Sequence, residues 1–394
     1  MSNDNSSTKN IGLRNIEVAD TKICAIEPDN GKLIYRGYDI LDLAKNSTFE
    51  ETAYLLLFGD LPSREQIENF NAKLIAKRYL PSSVVKSMTY RPVSSSPMDV
   101  LQSTVSMLAD YDENINDDSK EANYERAINL VAKFPTIVAL WDRIRKNLPV
   151  VKPAEELTHS ANFLYMLTGE EPDKEFAKDF DICLVLHAEH SFNASTFAAR
   201  EVASTRAHMY SSIAAAIGAL SGELHGGANV KVMEALQEIG SVENVEKWVN
   251  ARFDAGERIM GMGHAVYKTD DPRAKVLREM SKRLATKMNS PLYGITQKLE
   301  DVTKEEMKKR KGVEIFANVD LYSASVYHMM GIQLDLNTPI FALARIVGWA
   351  AHVIEEKFAE AQPKPMLYRP TAAYVGKYCG PLGCEYTSLQ KRIQ

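Results

Sequence analysis

Apolar residues recur at three- and four-residue spacing along most of the chain, the pattern of amphipathic helices that bury one face. FEETAYLLLFGDLP, PSREQIENFNAKLIAKRYL, PMDVLQSTVSMLADY, NYERAINLVAKFPTIVALWDRI and AEELTHSANFLYMLTG all carry it, with Gly, Pro or Asn stops between them. Strand-like alternation is confined to TKICAIEPDNGKLIYRGYDI, where Asp29, Asn30 and Gly31 mark a hairpin turn. The pattern predicts an all-α protein with a short N-terminal β-hairpin. No repeat, low-complexity tract or Pro/Ser-rich linker interrupts it, so a second domain has to be inserted and not tethered. Glycine-rich or short polar hinges bracket residues 222–330. This predicts a small inserted domain over 222–330, between the first part (1–221) and the second part (331–394) of a large one. MSNDNSSTKN reads as a disordered lead, because it lacks the apolar core or the arginines of a targeting segment.

Composition narrows the partners. The chain has 394 residues, 45% hydrophobic and 25% charged, with a net charge of −5. That charge argues against general nucleic-acid binding, so an anionic ligand has to be held by a local basic cluster. The longest apolar stretch, PIFALARIVGWAAHVIEEKF, is interrupted by Arg345 and reads as a buried helix and not a membrane span. Four scattered cysteines predict a reduced, cytoplasmic setting without structural disulfides.

Four segments carry possible chemistry. In GMGHAVYKTDDPR, Asp271 and Pro272 form a helix start, which puts Arg273 in the first turn beside His264. A helix N-terminus already favours an anion there. In LHAEHSFNAS, His187 and His190 lie three apart on a predicted helix. They read either as a buried hydrogen-bonded pair or as metal ligands, though the H-E-x-x-H spacing of a helical zinc site is absent. His225 in SGELHGGAN precedes two glycines and a new helix, as either a cap or a catalyst. Asp320 in FANVDLYSASVYHMM precedes an apolar helix, as either its N-cap or a functional carboxylate. Arg345 needs a carboxylate from the protein or from a ligand, because an unpaired buried guanidinium costs several kcal/mol. Arg369 sits in the extended LYRPTAAYVG, as a surface charge or something more.

LIYRGYDI, FEETAYLLLFGDLP, LHAEHSFNAS, LHGGAN, GMGHAVYKTDDPRA, NVDLYSASVY, FALARIVGW and YRPTAAYVG resemble, in this order, the motifs of citrate synthases, closest to the shorter bacterial and archaeal form. The resemblance runs from about Leu33 to near the C-terminus. It implies an all-helical homodimer whose smaller inserted domain closes over the substrates. It also implies that His225, His264 and Asp320 are catalytic, and that His187, Arg273, Arg345 and Arg369 hold oxaloacetate, with Arg369 reaching in from the other subunit. Lys268 would contact the coenzyme. Acetyl-CoA would be a co-substrate, with no tightly bound cofactor and no metal.

The chemistry asks for such a set. Taking a weakly acidic proton beside a thioester needs a carboxylate base and a donor to the forming enolate. Asp320 and a neutral His225 suit these roles, His264 the ketone of oxaloacetate, and the arginines its carboxylates. The glycines around His264 would let the coenzyme lie against backbone. Ser96, Gln102, Ala265 and Thr371 depart from the basic residues or histidine usual in relatives, and 308–311 (KKRK) is either their replacement or a solvated face. Cys379 and Cys384 would bind metal, pair, or merely sit in a mobile loop. A 2-methylcitrate synthase using propionyl-CoA remains an alternative, since one methylene is worth only about 1–3 kcal/mol. A catalytically silent homologue that binds oxaloacetate or CoA is the other.

Overall fold

The computed structural model describes residues 12–13, 16–264, 266–376 and 383–392. Three short strands open the fold, β1 (Cys24–Glu27), β2 (Lys32–Tyr35) and β3 (Tyr38–Asp39), in an antiparallel sheet of order β1-β2-β3. The hairpin pairs Cys24 with Tyr35 and Glu27 with Lys32, and the added third strand extends the expected hairpin to a small sheet.

Helices follow without further strands among the described residues. The first group is α1 (Ile40–Asn46), α2 (Phe49–Phe58), α3 (Arg64–Lys77), α4 (Ser82–Thr89) and α5 (Pro97–Leu108). Then come α6 (Lys120–Arg145), α7 (His159–Thr168), α8 (Lys174–His187), α9 (Ala194–Ser204) and α10 (Met209–Ser221). The last are α11 (Ala228–Ile239), α12 (Val245–Asp254), α13 (Pro272–Met288), α14 (Leu292–Lys311), α15 (Val319–Met329) and α16 (Asn337–Phe358). Local chemistry sets many boundaries. Thr48 with Glu51, and Ser63 with Gln66, form complete capping boxes at α2 and α3. Thr158 caps α7, so AEEL stays outside a helix that the periodicity alone would have extended. Likewise α8 ends at His187, and Asn193 caps α9, so His190 lies in the turn between helices and not on one.

The apolar helix α16 lies at the centre and packs against α2, α5, α6, α8, α9 and α10. Its Trp349 and Ile346 are fully buried. Helices α11 to α15 pack chiefly among themselves, α13 against α15, α11 against α15 and α12 against α14. They meet the rest where α13 touches α1 and α8, and where α11 touches α16. No helix among the described residues is long and apolar enough to cross a membrane. Cys24 and Cys183 are free and buried, but Cys384 is disulfide-bonded, which corrects the expectation of no disulfide. The polar lead 1–10, Ala265 and Cys379 lie outside the described residues.

Candidate active site

A cavity of about 710 Å³ opens where these two groups of helices meet. His190, His225, His264, Arg273, Asp320 and Arg345 all line it, although they are spread over more than 150 residues of sequence.

Each histidine's tautomer follows from its fixed neighbours. The backbone N–H of Ser195 can only donate, and it points at Nε2 of His225 from 3.3 Å. Nε2 is therefore an acceptor, and the ring proton sits on Nδ1. Ser195 Oγ, 2.8 Å from the same nitrogen, accepts a hydrogen bond from Trp349 Nε1 on α16. His264 is held the other way round. Its Nδ1 accepts from the backbone N–H groups of Val266 (2.9 Å) and Tyr267 (3.1 Å), so its proton sits on Nε2. Burial, reinforced by Arg345 for His225 and by Arg273 for His264, pushes both pKa values down to about 4. Both rings are neutral donors at physiological pH.

Asp320 is in the first turn of α15, but Asn318 is the N-cap, which removes the capping explanation for Asp320. Among the described residues none donates a hydrogen bond to its carboxylate. Burial raises its pKa to about 6, with Asp271 adding to the rise and Arg273 and Arg345 opposing it. An unpaired carboxylate with a raised pKa is suited to take a proton near neutral pH.

The arginines differ in what they leave free. Arg273 is fully engaged on one side: its Nε and Nη2 bond both oxygens of Asp271 at 3.0 and 2.7 Å. The same carboxylate caps α13 through the Arg273 N–H, so Asp271 is both cap and clamp. Nη1 of Arg273 has no protein acceptor among the described residues. Arg345 donates its Nε to the backbone carbonyl of His187 at 2.7 Å and lies 4.6 Å over the Phe341 ring. Its Nη2 is buried without a partner. Burial lowers its pKa to about 10 although Glu189 and Tyr35 oppose this. Glu189 does not bond Arg345: its Oε1 accepts from His352 Nε2 at 3.0 Å, and His352 accepts from Arg200. Among the described residues no carboxylate bonds Arg345, and Glu189 acts on it only at a distance, so the ligand explanation for Arg345 gains and the structural ion pair loses.

Three of the residues named from the sequence, His187, Arg369 and Lys268, do not line this cavity. His187 does not line the cavity. Its Nδ1 donates to the carbonyl of Cys183 at 2.8 Å, and its ring faces Phe341 and Tyr327 inside the protein. His190 takes the cavity-facing place, with Nε2 3.3 Å from the Tyr267 hydroxyl and its ring 5.4 Å from that of His264. The turn that presents it is pinned by Tyr35, whose hydroxyl donates to Glu189 O at 2.8 Å and accepts from Glu189 N at 3.1 Å. Arg369 is exposed and away from the cavity of its own chain. Lys268 is exposed and paired with Asp29 at 2.9 Å. Gly261 does not make room for a ligand: at φ +82, an added Cβ would lie 2.9 Å from Leu321 Cδ1 and Val232 Cγ2. It lets the His264 loop press against α15.

A second cavity of about 520 Å³ shares Gly263 and His264 with the first, and Arg258, Lys311 and Met307 line it. The fold and the paired cavities define a helical protein in which unpaired arginine nitrogens, neutral histidines and a free carboxylate converge on one cavity. Comparison with known proteins gives the class a family. The family described as "Citrate synthase, C-terminal domain" matches residues 12–371. Citrate synthase of Haloferax volcanii is 42% identical, covering 93% of this chain and 95% of that protein, and citrate synthase 2 of Bacillus subtilis is 43% identical over the same shares. A 2-methylcitrate synthase of Shewanella oneidensis is 37% identical, over 93% of this chain and 94% of its own. The structure of citrate synthase from Pyrobaculum aerophilum matches with a TM-score of 0.89 at 38% identity, over 97% of this chain and 95% of that one. That of Thermoplasma acidophilum, in a ternary complex with carboxymethyl coenzyme A and oxaloacetate, matches with a TM-score of 0.89 at 32% identity, over 97% and 98%. The chain belongs to the citrate synthase family. It is an enzyme, and its activity is that of a citrate synthase.

Proposed function

We propose that the first cavity condenses acetyl-CoA with oxaloacetate through Asp320, His225 and His264. The observation that carries this is the pair of neutral histidines held in opposite tautomers beside an unpaired carboxylate. Asp320 takes a proton from the acetyl methyl, and the C–H electrons move into an enolate whose oxygen accepts from His225 Nδ1–H. The methylene carbon attacks the ketone of oxaloacetate while His264 Nε2–H polarises that oxygen and protonates the alkoxide; His264 regains a proton from solvent as Asp320 releases to solvent the one it took, so both end as they began. Water then cleaves the citryl thioester, giving citrate and CoA. Arg345 Nη2, Arg273 Nη1 and His190 hold oxaloacetate; His190 takes the role first given to His187. The second cavity suits the coenzyme, with Arg258 and Lys311 as phosphate partners. Lys268 is available to it only by leaving Asp29. The enzyme works as a homodimer in which Arg369 completes the partner's site, and residues 222–330 close over the substrates as a small domain.

A second reading, condensation of propionyl-CoA, is favoured only by the 2-methylcitrate synthase relatives. The silent-homologue reading is disfavoured, because the complete base and donor set faces one cavity. The pH profile tests the proposal. Activity rises as Asp320 ionises through about pH 6 in the free enzyme. The histidines stay neutral throughout that range. A profile that needs a protonated group with a pKa near 7 for activity sinks the neutral-donor scheme.

A further inference from the structure

Asn318 joins the two parts of the site. Its Oδ1 caps α15 by accepting the N–H of Asp320 at 2.9 Å. Its Nδ2 donates to the carbonyl of Gly263 at 2.9 Å, and its own N–H donates to Gly261 O at 3.0 Å. Gly263 N–H in turn donates to Phe316 O at 2.7 Å, and Met262 pairs with Ala317 in an antiparallel bridge. Residues 261–263 and 316–318 thus form a short ladder, finished at one end by a side-chain amide where backbone pairing stops. His264 follows one end of this ladder directly, and Asp320 follows the other by two residues. The Leu321 Cα, 3.0 Å from a Cβ on Gly261, shows how tightly loop and helix are pressed together.

We infer that Asn318 is a positioning residue that sets the base Asp320 against the ketone donor His264. The inference rests on the condensation reading, in which these groups act on different substrates and a carbon–carbon bond forms between them. Their spacing then matters more than either group's strength. The peptide before His264 is the weak link, because Gly263 at φ +90 has no side chain to fix it. The Asn318 amide fixes its carbonyl. Among good N-cap residues only Asn offers an acceptor for the helix and a long-reach amide donor for the loop; Asp and Ser keep the cap without that donor.

Asn318→Ser and the isosteric Asn318→Asp test this. Both retain a cap, so the melting temperature and the thermal protection by oxaloacetate stay near wild type. Turnover falls about 100-fold, the cost of a misplacement of around an ångström, while KM for oxaloacetate changes little. A capping role alone predicts nearly unchanged turnover in both variants, and that result overturns the inference. Loss of oxaloacetate protection together with turnover also overturns it, because Asn318 would then act on binding. If the wild-type enzyme releases no CoA, the condensation reading fails instead, and the two failures are told apart.

Discussion

Replacing Asp320 by Asn should cut condensation by orders of magnitude and yet make the ligand-free protein more stable. Burial raises this carboxylate from an ordinary 3.8 to about 6. The folded protein therefore binds the proton more tightly than the unfolded chain between those values. Stability from this group is complete below pH 4 and is lost as pH rises through about 6. Two pKa units correspond to about 3 kcal/mol, which solvent screening of this partly exposed side chain reduces to about 1–2 kcal/mol. The Asn variant keeps the shape and lacks the charge, so its advantage should be absent near pH 4, grow through pH 5 and 6, and level off above pH 7. Thermal unfolding of both proteins across that range measures it, and for a chain of this length the expected gap is roughly 1–3 °C. CoA release should fall by about 10²–10⁴-fold, the usual worth of a general base. Oxaloacetate should still protect the variant against heat, because the base acts on the other substrate. An Asn variant less stable than wild type at pH 8, or a gap independent of pH, refutes the reasoning: Asp320 would then be a structural group.

Arg345→Leu should remove oxaloacetate protection while the ligand-free protein still folds, since among the described residues no carboxylate is hydrogen-bonded to the guanidinium; unfolding of the free variant, followed by circular dichroism, would restore the structural ion pair. His190→Ala should raise KM for oxaloacetate at least tenfold, whereas His187→Ala should act on stability with KM within a few-fold; steady-state kinetics showing the reverse would return the role to His187. Asp320→Ala and Arg369→Ala chains should each be inactive alone but recover about a quarter of wild-type activity after subunit exchange, because half the dimers then carry one intact site of two. Exchange confirmed by tagged pull-down, with activity still near zero, would place Arg369 in its own chain's chemistry.

What the sequence made legible were features with local causes. Amphipathic periodicity marked the helices, and Asp271-Pro272 marked the start of α13, because both are set by residues a few positions apart. His225, His264 and Asp320 were legible through motifs, and the structure brings them to one cavity. The expectation that His187 faces the cavity had a local cause too. Helical periodicity was carried past the end of α8, although the Asn193 cap of α9 implied a break before it. A break there puts His190 in the turn and turns His187 inward. The clamp of Arg273 on Asp271 was hidden because the cap explained the aspartate fully. Asn318 was missed because its partners, Gly261 and Gly263, are more than fifty residues away, and no spacing rule links an amide to a distant carbonyl. Arg369 showed only an extended, exposed segment, whose proposed function lies in a second subunit.

The most direct test follows free CoA from acetyl-CoA and from propionyl-CoA, each with oxaloacetate, using wild type and Asp320→Asn side by side. The account predicts rapid thiol release by wild type, faster with acetyl-CoA, none without oxaloacetate, and loss of release in the variant. Faster release from propionyl-CoA would make the enzyme a 2-methylcitrate synthase with the same machinery. Release by the variant at the wild-type rate would contradict the central claim that Asp320 is the base.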